Sequence, residues 1–373
     1  MKVIFVGAGA SGIVGAISYK RNHPTDDVLI IEHLDAPLKK LLATGNGKCN
    51  LANTKLDLNK YSHPDFVKDI LREYDYESFF DSILVKTKAT GELVYPVSET
   101  AVSVRNALIR ETERLGIKIN CSEKFLDYRK VNNCYEVITD KDKYVVEKLY
   151  LAGSLCSTNN LGSDGSILNV IRQHGYKIKE PLPGLCPIVT KENTKILDGI
   201  RNKSEVSLYQ NSKLIHKEKG EVLFKKNGVS GIVIFNISEL IARSENKADK
   251  IVIDLLPEYE ESELKNYWQN HSFNGFLQAF LHPTIIKYLN NRFSTNEEIF
   301  DAIKRLEFTF KEAYGFDFAQ VSVGGVDLSM VDAHLESAKE KNVYLLGELL
   351  DIDGPCGGYN LTWAFASAIH ATK

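Results

Sequence analysis

Three glycines near the amino terminus have the spacing of a phosphate-binding turn. Gly7, Gly9 and Gly12 form a complete G-x-G-x-x-G, which follows directly after the apolar run Lys2–Val6. Such a run is typical of a strand buried on both faces of a parallel sheet. Gly7 permits a tight strand-to-helix turn, Gly9 has no side chain to exclude a pyrophosphate, and Gly12 lets the following helix pack closely. The unpaired N–H groups at the start of that helix then attract phosphates.

The residues after this turn supply the rest of a dinucleotide fingerprint. The helical pattern continues to about Asn22, and Val28–Ile31 predicts a second buried strand that is closed by Glu32. Glu32 lies twenty residues after Gly12, where a carboxylate can accept hydrogen bonds from an adenosine ribose. The alternative is a glycine-rich turn beside a surface glutamate. Because strand, turn, helix, second strand and acid occur in order, the sequence favours a bound dinucleotide.

The next segment, Leu38–Leu51, is rich in small and hydrogen-bonding residues. Two glycines within it, Gly45 and Gly47, allow the backbone to approach a flat ligand closely. The alternative interpretation is a lysine-rich surface loop. The segment therefore adds to the evidence for a nucleotide without deciding which nucleotide binds.

The carboxyl-terminal part of the chain contains a second glycine-rich segment whose backbone could lie close to a ligand. Val343–Leu346 predicts a short strand, Gly347 and Glu348 follow it, and the glycine-rich stretch Asp351–Leu361 leads into an apolar helix at Thr362–Ala371. FAD is long enough to be held at both ends, with its pyrophosphate on the first helix and its flavin ring at the start of the last. Backbone N–H groups at that start would stabilise negative charge on the reduced flavin. The alternative is a plain helix-start turn.

Two of these segments resemble one family closely. Lys39–Asn50 and Gly347–Ala366 are similar to motifs of the BaiN/YhiN-like flavoproteins, the aminoacetone-oxidase-family FAD-binding enzymes, which have a glutathione-reductase-like FAD fold. Gly91–Ala101 and Gly220–Gly231 also look like the family, so the resemblance spans nearly the whole chain. The departures include Lys48 in place of the usual arginine.

Two further departures lie at glycine-containing motifs. Ala152-Gly153-Ser154 stands where the family usually has A-T-G-G, and Ser322–Val326 stands where it has T-x-G-G-V. These changes bear on the substrate rather than on FAD binding. The resemblance also implies that a backbone group near Phe125 contacts the adenine.

The fingerprint, the carboxyl-terminal motif and the resemblance together give a set of candidate cofactor-binding residues. They are Gly7, Gly9, Ala10, Ser11, Gly12, Glu32, Lys40, Leu41, Thr44, Gly45, Asn46, Cys49, Asn50, Phe125, Ala152, Gly153, Gly347, Glu348, Gly357, Gly358, Asn360 and Leu361. The nine histidines show no metal-ligand spacing, so we expect no metal site. The sequence identifies no catalytic acid or base.

The predicted fold class is α/β, a Rossmann-like, glutathione-reductase-type FAD-binding domain with an inserted β-rich domain and a small helical domain. Pro181, Pro183 and Pro187 mark the first boundary, and period-two patterns follow them. The predicted domains are the FAD-binding domain at residues 1–187 and 313–373, the β-rich insertion at 188–257 and the helical domain at 258–312.

The predicted function is that of an FAD-dependent oxidoreductase acting on a small or medium organic molecule, such as an enone or an amine. No second G-x-G-x-x-G follows a predicted strand, so the sequence indicates no separate nicotinamide domain. NAD(P)H is therefore a candidate reductant that would bind only transiently, next to the flavin. The alternatives are an oxidase that passes electrons from an amine or alcohol to oxygen, and a non-catalytic flavin-binding redox sensor. A flavin-dependent RNA-modifying enzyme is disfavoured, because the net charge is −3 and no basic stripe is present.

Composition sets the remaining expectations. The chain of 373 residues is 43% hydrophobic and 25% charged, which is typical of a globular protein of two or three domains. Six cysteines without a C-x-x-C pair favour free thiols in a reducing compartment, and we expect a cytoplasmic protein without membrane or nucleic-acid partners. Cys49 and Cys356 both lie in flavin-adjacent motifs, where the sequence favours small packing residues over a redox pair.

Overall fold

The structure, a computed structural model, describes residues 1–244 and 248–373. Its internal contacts divide the chain into two units, Met1–Leu182 with Val321–Lys373, and Pro183–Gln320. Each unit has a hydrophobic core of its own. The predicted boundary at residue 257, which would divide the second unit into a β-rich and a helical domain, stays a prediction.

The strands of the described residues are numbered in chain order. They are β1 Lys2–Val6, β2 Asp27–Ile31, β3 Ala52–Asn53, β4 Thr87–Thr90, β5 Leu93–Pro96, β6 Lys118–Asn120, β7 Phe125–Val131, β8 Cys134–Thr139, β9 Lys143–Val146, β10 Lys148–Leu151, β11 Ile178–Gly184, β12 Ile188–Thr190, β13 Arg201–Gln210, β14 Lys213–Lys225, β15 Gly228–Ser230, β16 Ala248–Asp254, β17 Leu306–Ala313, β18 Val321–Val326 and β19 Val343–Leu345.

The α-helices are numbered in the same way. They are α1 Ala10–Asn22, α2 Lys39–Ala43, α3 Pro64–Arg72, α4 Tyr76–Ser82, α5 Ala101–Arg114, α6 Ser166–Gln173, α7 Ile232–Arg243, α8 Glu261–Gln269, α9 Phe273–Phe280, α10 Pro283–Arg292, α11 Asn296–Lys304 and α12 Tyr359–His370. None of the described helices is long and apolar enough to cross a membrane.

A parallel sheet lies at the centre of the first unit, with the strand order β19-β10-β1-β2-β6. Its strands are short apolar runs such as Val3–Val6, whose side chains are at most 5% exposed, because helices cover both faces of such a sheet. Strand β1 pairs in parallel with β2 and β10, so the turn after β1 lies in the middle of the sheet edge formed by the carboxyl ends of the strands. Ligands of doubly wound sheets bind at this edge.

The carboxyl-terminal part of the chain completes this sheet. Strand β19 pairs with β10 in parallel, and α12 packs beside α1. Gly15 lets α1 pack closely against the sheet, since a Cβ at this position would lie 2.9 Å from the Phe5 ring of β1. The two ends of the chain therefore meet in one Rossmann-like layer, as the sequence predicts.

The second unit contains a closed antiparallel barrel with the strand order β12-β15-β14-β13-β16-β17, accompanied by helices α7 to α11. The sequence predicts helical structure for 258–312, but residues 306–313 form the strand that closes the barrel. In that strand Leu306 and Phe308 are buried while Glu307 is exposed. This period of two is the pattern of a strand with one buried face.

A partly buried polar cluster in the first unit joins β7 to the end of α6 and to Glu340. The His174 ring stacks on Tyr128 at 3.9 Å between ring centroids, and its Nε2 lies 3.0 Å from Asp127 Oδ1. Glu340 accepts hydrogen bonds from the hydroxyls of Tyr128 and Tyr176. The hydrogen bond to Glu340, against the effect of burial, raises the pKa of His174 above its ordinary value.

We expect His174→Gln to destabilise the protein in a pH-dependent way. A histidine whose pKa is raised by folding adds stability below its unfolded pKa, and that stability is lost as pH rises through the folded pKa. The loss of unfolding free energy in His174→Gln should thus be larger at about pH 6 than at about pH 9. Urea titrations at both pH values measure this difference, with His271→Gln as the control, because His271 is exposed and lies just after α8. An equal loss at both pH values would contradict the charged role of His174.

Candidate functional site

The turn between β1 and α1 requires two of its three glycines for its own structure. Gly7 has a φ of 101° and donates a hydrogen bond from its N–H to Ile31 O at 2.8 Å. A Cβ on Gly12 would lie 1.9 Å from Gly7 O. Both residues are therefore fixed by the geometry of the turn.

Gly9 differs from its two neighbours, because the protein itself does not require it. Its φ is −78°, which any residue adopts, and a Cβ there would meet no atom within 4 Å. Gly9 also precedes a helix of 13 residues and has no side chain to cap it. An open space at the N-terminus of such a helix fits a pyrophosphate. The glycine spacing thus reserves room for a ligand at this point.

Glu32 lies at the end of β2 beside this turn and is 7% exposed. Its Oε2 accepts from Ala8 N at 2.8 Å, and its Oε1 accepts from Leu34 N at 2.9 Å and lies 3.0 Å from His33 Nδ1. Burial alone would raise the pKa of Glu32, but the hydrogen bonds from His33, Leu34 and Ala8 lower it below the ordinary value. The carboxylate is thus ionised and can accept further hydrogen bonds, as ribose binding requires.

These elements surround a cleft in the first unit, which seven of the candidate residues line. They are Gly7, Gly9, Glu32, Lys40, Phe125, Ala152 and Gly153. Phe125 begins β7, and its contact with the adenine stays a prediction. His33, Lys124 and Asp164 also line the cleft and were absent from the sequence-based set.

Lys40 and Glu348, which are 308 residues apart in sequence, form one hydrogen-bonded cluster at the side of this cleft. Lys40 Nζ donates to Glu348 Oε2 at 2.7 Å and to Ser157 Oγ at 2.6 Å. Glu348 Oε1 accepts from Ser157 Oγ at 2.7 Å and from Ser322 N at 2.8 Å. The amino-terminal and carboxyl-terminal motifs are therefore linked by charge-assisted hydrogen bonds.

We expect Lys40→Met to cost about 1–2 kcal/mol of unfolding free energy in the apoprotein, because it removes a hydrogen-bonded partner from a mostly buried carboxylate. The side chains of Lys40 and Glu348 are only 26% and 22% exposed. Lys48→Met is the matched control, since Lys48 and Glu99 are 54% and 43% exposed and well screened by solvent. Urea denaturation of both variants tests this. Equal losses would show that the buried pair is no stronger than a surface pair.

The start of α12 is the second half of the candidate site. Its N-cap residue, Gly358, has a φ of 93°, and a Cβ there would lie 2.5 Å from Ala52 O. Asn53 Nδ2 donates to Gly357 O at 3.0 Å, and Asn360 holds the preceding turn by accepting from Gly354 N at 3.0 Å. With its amide nitrogen toward Ala52 O, Asn50 accepts from Gly358 N at 3.0 Å. The segments around Asn50 and Gly358 thus pack directly against each other.

The segment Lys39–Asn50 is shaped by residues with left-handed backbone. Gly45, Asn46 and Cys49 have φ values of 56°, 54° and 62°. Thr44 Oγ1 donates to Leu41 O at 2.7 Å, and Cys49 N donates to Thr44 O at 3.0 Å. This tight loop explains the small and hydrogen-bonding residues that the sequence shows there.

The other candidate residues lie on the same elements. Leu41 is buried in α2, Ala10 and Ser11 form the first turn of α1, and Leu361 lies in the first turn of α12. A Cβ on Gly347 would lie 2.8 Å from Ser11 Oγ, so the two halves of the site are in contact. The structure thus brings residues of the amino-terminal and carboxyl-terminal motifs into direct contact within the first unit.

Comparison with known proteins decides the family. The model of the HI0933-like protein Rossmann domain matches residues 1–373, the full chain. The chain belongs to the HI0933-like family. The resemblance to BaiN/YhiN-like flavoproteins, the Rossmann-like α/β fold class and the prediction of an FAD-dependent oxidoreductase are thereby confirmed, together with the relatives described next.

Two curated relatives of this HI0933-like protein match over nearly their full lengths. The 3-dehydro-bile acid delta(4,6)-reductase of Clostridium scindens is 31% identical over 401 residues, covering 100% of this chain and 98% of the relative. The ribosomal RNA dihydrouridine synthase of Escherichia coli is 25% identical, covering 98% and 95%. Among solved structures, FrdA of Escherichia coli quinol fumarate reductase superposes with a TM-score of 0.55 at 11% identity, covering 100% of this chain and 69% of FrdA. This last likeness concerns the fold alone.

The cysteines of the two motifs differ in environment. Cys49 is fully buried, and burial raises the pKa of its thiol to about 11. Cys356 is partly exposed, and the six cysteines, all within the described residues, form no disulfide. A buried thiol with a raised pKa is a weak nucleophile, which fits the packing role that the sequence favours for Cys49.

Sequence reasoning missed two serines of the Glu348 cluster. Ser157 follows the departure at residues 152–154, and Ser322 occupies the position of the family's threonine in T-x-G-G-V. Ser322 Oγ accepts from Cys156 N at 3.0 Å, while its backbone N–H reaches Glu348. The hydroxyl retained at position 322 could have indicated the bond from Cys156 N, but a backbone contact with Glu348 leaves no signal in the sequence. Ser157 had no such signal, because its partners are distant in sequence.

Proposed function

We propose that this protein saturates a carbon–carbon double bond conjugated to a carbonyl group in a small or medium organic molecule, with NAD(P)H as electron donor. One observation carries the proposal: the two kinds of curated relative share this net reaction. A 3-dehydro delta(4,6)-reductase acts on double bonds conjugated to a ketone, and dihydrouridine differs from uridine by saturation beside a carbonyl. The substrates differ while the chemistry agrees, so the chemistry is the better guide.

The residues described above fit FAD, and the fit rests on the space at Gly9. The α1 N-terminus would bind the pyrophosphate, Glu32 would bind the ribose, and the Gly357–Gly358 turn with Asn50 would lie against the flavin. When bound, FAD supplies hydride transfer between the electron donor and the substrate. The chain itself binds, orients and shields the reacting groups.

The single nucleotide fingerprint limits how NAD(P)H, the proposed donor, could bind. The chain has one G-x-G-x-x-G after a strand, which leaves the nicotinamide without a Rossmann site of its own. A donor that binds transiently and leaves after transfer needs no such site. A cytoplasmic location, where NAD(P)H and reduced thiols are both abundant, belongs to this proposal.

Ribosomal RNA is the second candidate substrate. Two curated relatives, at 25% and 26% identity, are ribosomal RNA dihydrouridine synthases. A small molecule is favoured here, because the bile-acid reductase is 31% identical and the net charge of −3 does not attract phosphates.

The test measures how fast the reduced protein is reoxidised, with the visible spectrum as the readout. All reactions except the one with oxygen are run under nitrogen. Protein reduced with NADH, NADPH or dithionite is mixed with the conjugated dienone of a bile acid, with cyclohexenone, with a ribosomal RNA fragment, or with oxygen. We expect one of the two ketones to restore the yellow colour fastest and to gain two hydrogens by mass spectrometry. Fast reoxidation by RNA alone would favour the second candidate. Reoxidation by oxygen alone, with hydrogen peroxide released, would contradict the proposal in favour of an oxidase.

A further inference from the structure

We propose that His63, held by the carboxylate of Asp351, donates the proton that completes saturation of the substrate double bond. This inference rests on the proposed function, which requires a hydride equivalent at one carbon and a proton at its neighbour. Both residues lie in the first unit, where the loop before α3 meets the segment that leads into α12.

Hydrogen bonds attach the loop before α3 to the carboxyl-terminal half of the candidate site. Tyr61 Oη donates to Tyr359 O at 2.8 Å. Ser62 N donates to Asp353 O at 3.0 Å, and Asp353 N donates to Ser62 Oγ at 3.1 Å. These three contacts reach both sides of the Gly357–Gly358 turn, where the flavin is proposed to lie. His63, the next residue, is therefore fixed beside that turn.

The imidazole of His63 is paired on one side and open on the other. Its Nε2 lies 3.3 Å from Asp351 Oδ2. The Asp351 side chain is 7% exposed, whereas the His63 side chain is 40% exposed. Within the described residues, Nδ1 of His63 has no hydrogen-bond partner. Although His63 is the N-cap residue of α3, its side chain makes no hydrogen bond to that helix. A histidine oriented by a buried carboxylate, with its second nitrogen accessible, is the usual arrangement of a general acid.

Other charged groups lie near the same carboxylate. Lys179, on β11, has its Nζ 3.8 Å from Asp351 Oδ2, and Asp327, after β18, interacts electrostatically with Asp351. Lys179 is half exposed and farther from the carboxylate than the imidazole is. The charge environment of His63 thus consists of one close buried carboxylate, one nearby ammonium and one more distant carboxylate.

Other proton donors beside the turn are less suitable. The Tyr61 hydroxyl already donates to Tyr359 O, and burial holds its pKa well above the ordinary value. Tyr359, whose hydroxyl accepts from Asp57 N at 3.2 Å, is only 3% exposed, so its hydroxyl is less accessible than the His63 ring. Among the nine histidines, all in the described part of the chain, His63 is the one that bonds to the segment 347–361.

The step balances as a polar reduction. The carbon β to the carbonyl receives the hydride equivalent that NAD(P)H supplies, and the carbon α to the carbonyl takes the proton from Nδ1 of His63. One N–H bond breaks and one C–H bond forms, while Nε2 of the imidazole stays beside Asp351 Oδ2 and keeps the ring oriented. Solvent then returns a proton to His63, so each cycle consumes one NAD(P)H and one proton.

The test separates the two halves of the reaction in His63→Gln, with Asp351→Asn as the variant of the partner and His271→Gln as the control. We expect reduction by NAD(P)H to proceed at the wild-type rate in His63→Gln. Reoxidation of the dithionite-reduced protein by the ketone that oxidises wild type should slow by about 100-fold or more, and added imidazole should restore part of it. Asp351→Asn should slow the same step less.

A second measurement does not depend on turnover. Diethyl pyrocarbonate modifies accessible histidines, and peptide mass spectrometry of the FAD-loaded protein should show that cyclohexenone protects His63 but not His271. Equal modification with and without cyclohexenone would overturn the inference, as would wild-type reoxidation in His63→Gln. Equal slowing of both halves, without rescue by imidazole, would show a structural role instead. If wild type itself is reoxidised by no conjugated ketone, the proposed function fails and the inference fails with it.

Discussion

Replacing Gly9 with valine is expected to leave the apoprotein folded but to weaken FAD binding by on the order of 100-fold or more, because the side chain occupies the space of the pyrophosphate. The folded chain has no need of glycine there: φ is −78° and a Cβ would meet no atom within 4 Å. The effect of this substitution should thus appear mainly in cofactor affinity, with a small loss of stability because valine is a poorer N-cap than glycine.

Urea denaturation of the apoprotein and fluorescence titration with FAD measure the two quantities for Gly9→Val. Gly12→Ala is the comparison, since its Cβ would lie 1.9 Å from Gly7 O and should damage both stability and affinity. Wild-type FAD affinity in Gly9→Val would place the pyrophosphate elsewhere. A large loss of apoprotein stability in Gly9→Val would instead mean that the turn needs this glycine for itself.

The second large effect is expected at the start of α12. Gly358→Ala should lower the unfolding free energy by about 3 kcal/mol or more, because it combines a left-handed backbone with a steric overlap. The φ of Gly358 is 93°, and a Cβ there would lie 2.5 Å from both Ala52 C and Ala52 O. Since Asn50 also bonds to Gly358 N, the flavin half of the site should be lost together with the turn.

Gly91→Ala isolates the backbone part of this effect. Gly91 has a φ of 62°, but a Cβ there would meet nothing within 4 Å. Its substitution should cost about 1 kcal/mol and leave FAD binding unchanged. If thermal and urea denaturation give Gly358→Ala and Gly91→Ala the same stability, the close packing against Ala52 does not constrain the turn.

The sequence was most informative where function depends on local backbone geometry. The G-x-G-x-x-G turn and Glu32 could be identified from spacing alone, because a tight turn and a helix start impose glycines at fixed intervals. The structure adds the distinction between Gly9, which the protein does not require, and Gly7 and Gly12, which it does. That distinction depends on neighbours such as Ala152, which a sequence read along one segment does not show.

The parts that could not be predicted depend on contacts between distant segments. Ser157 joins Lys40 and Glu348 across separations of 117 and 191 residues, and His63 meets Asp351 across 288 residues. Likewise, β17 closes the barrel by pairing with β12 and β16, so its role is set by strands elsewhere in the chain. Contacts of this kind are difficult to recognise in the sequence of one segment, because a single polar residue or a short strand does not indicate its distant partner.

The most direct test of this account is the flavin content of the purified protein, measured by its visible spectrum and by chromatography of the released cofactor. We expect a yellow protein that carries FAD, one molecule per chain at saturation, and that loses the cofactor in Gly9→Val. A folded wild-type protein that is colourless and takes up no FAD on incubation would contradict the site described here, and with it the proposed reaction.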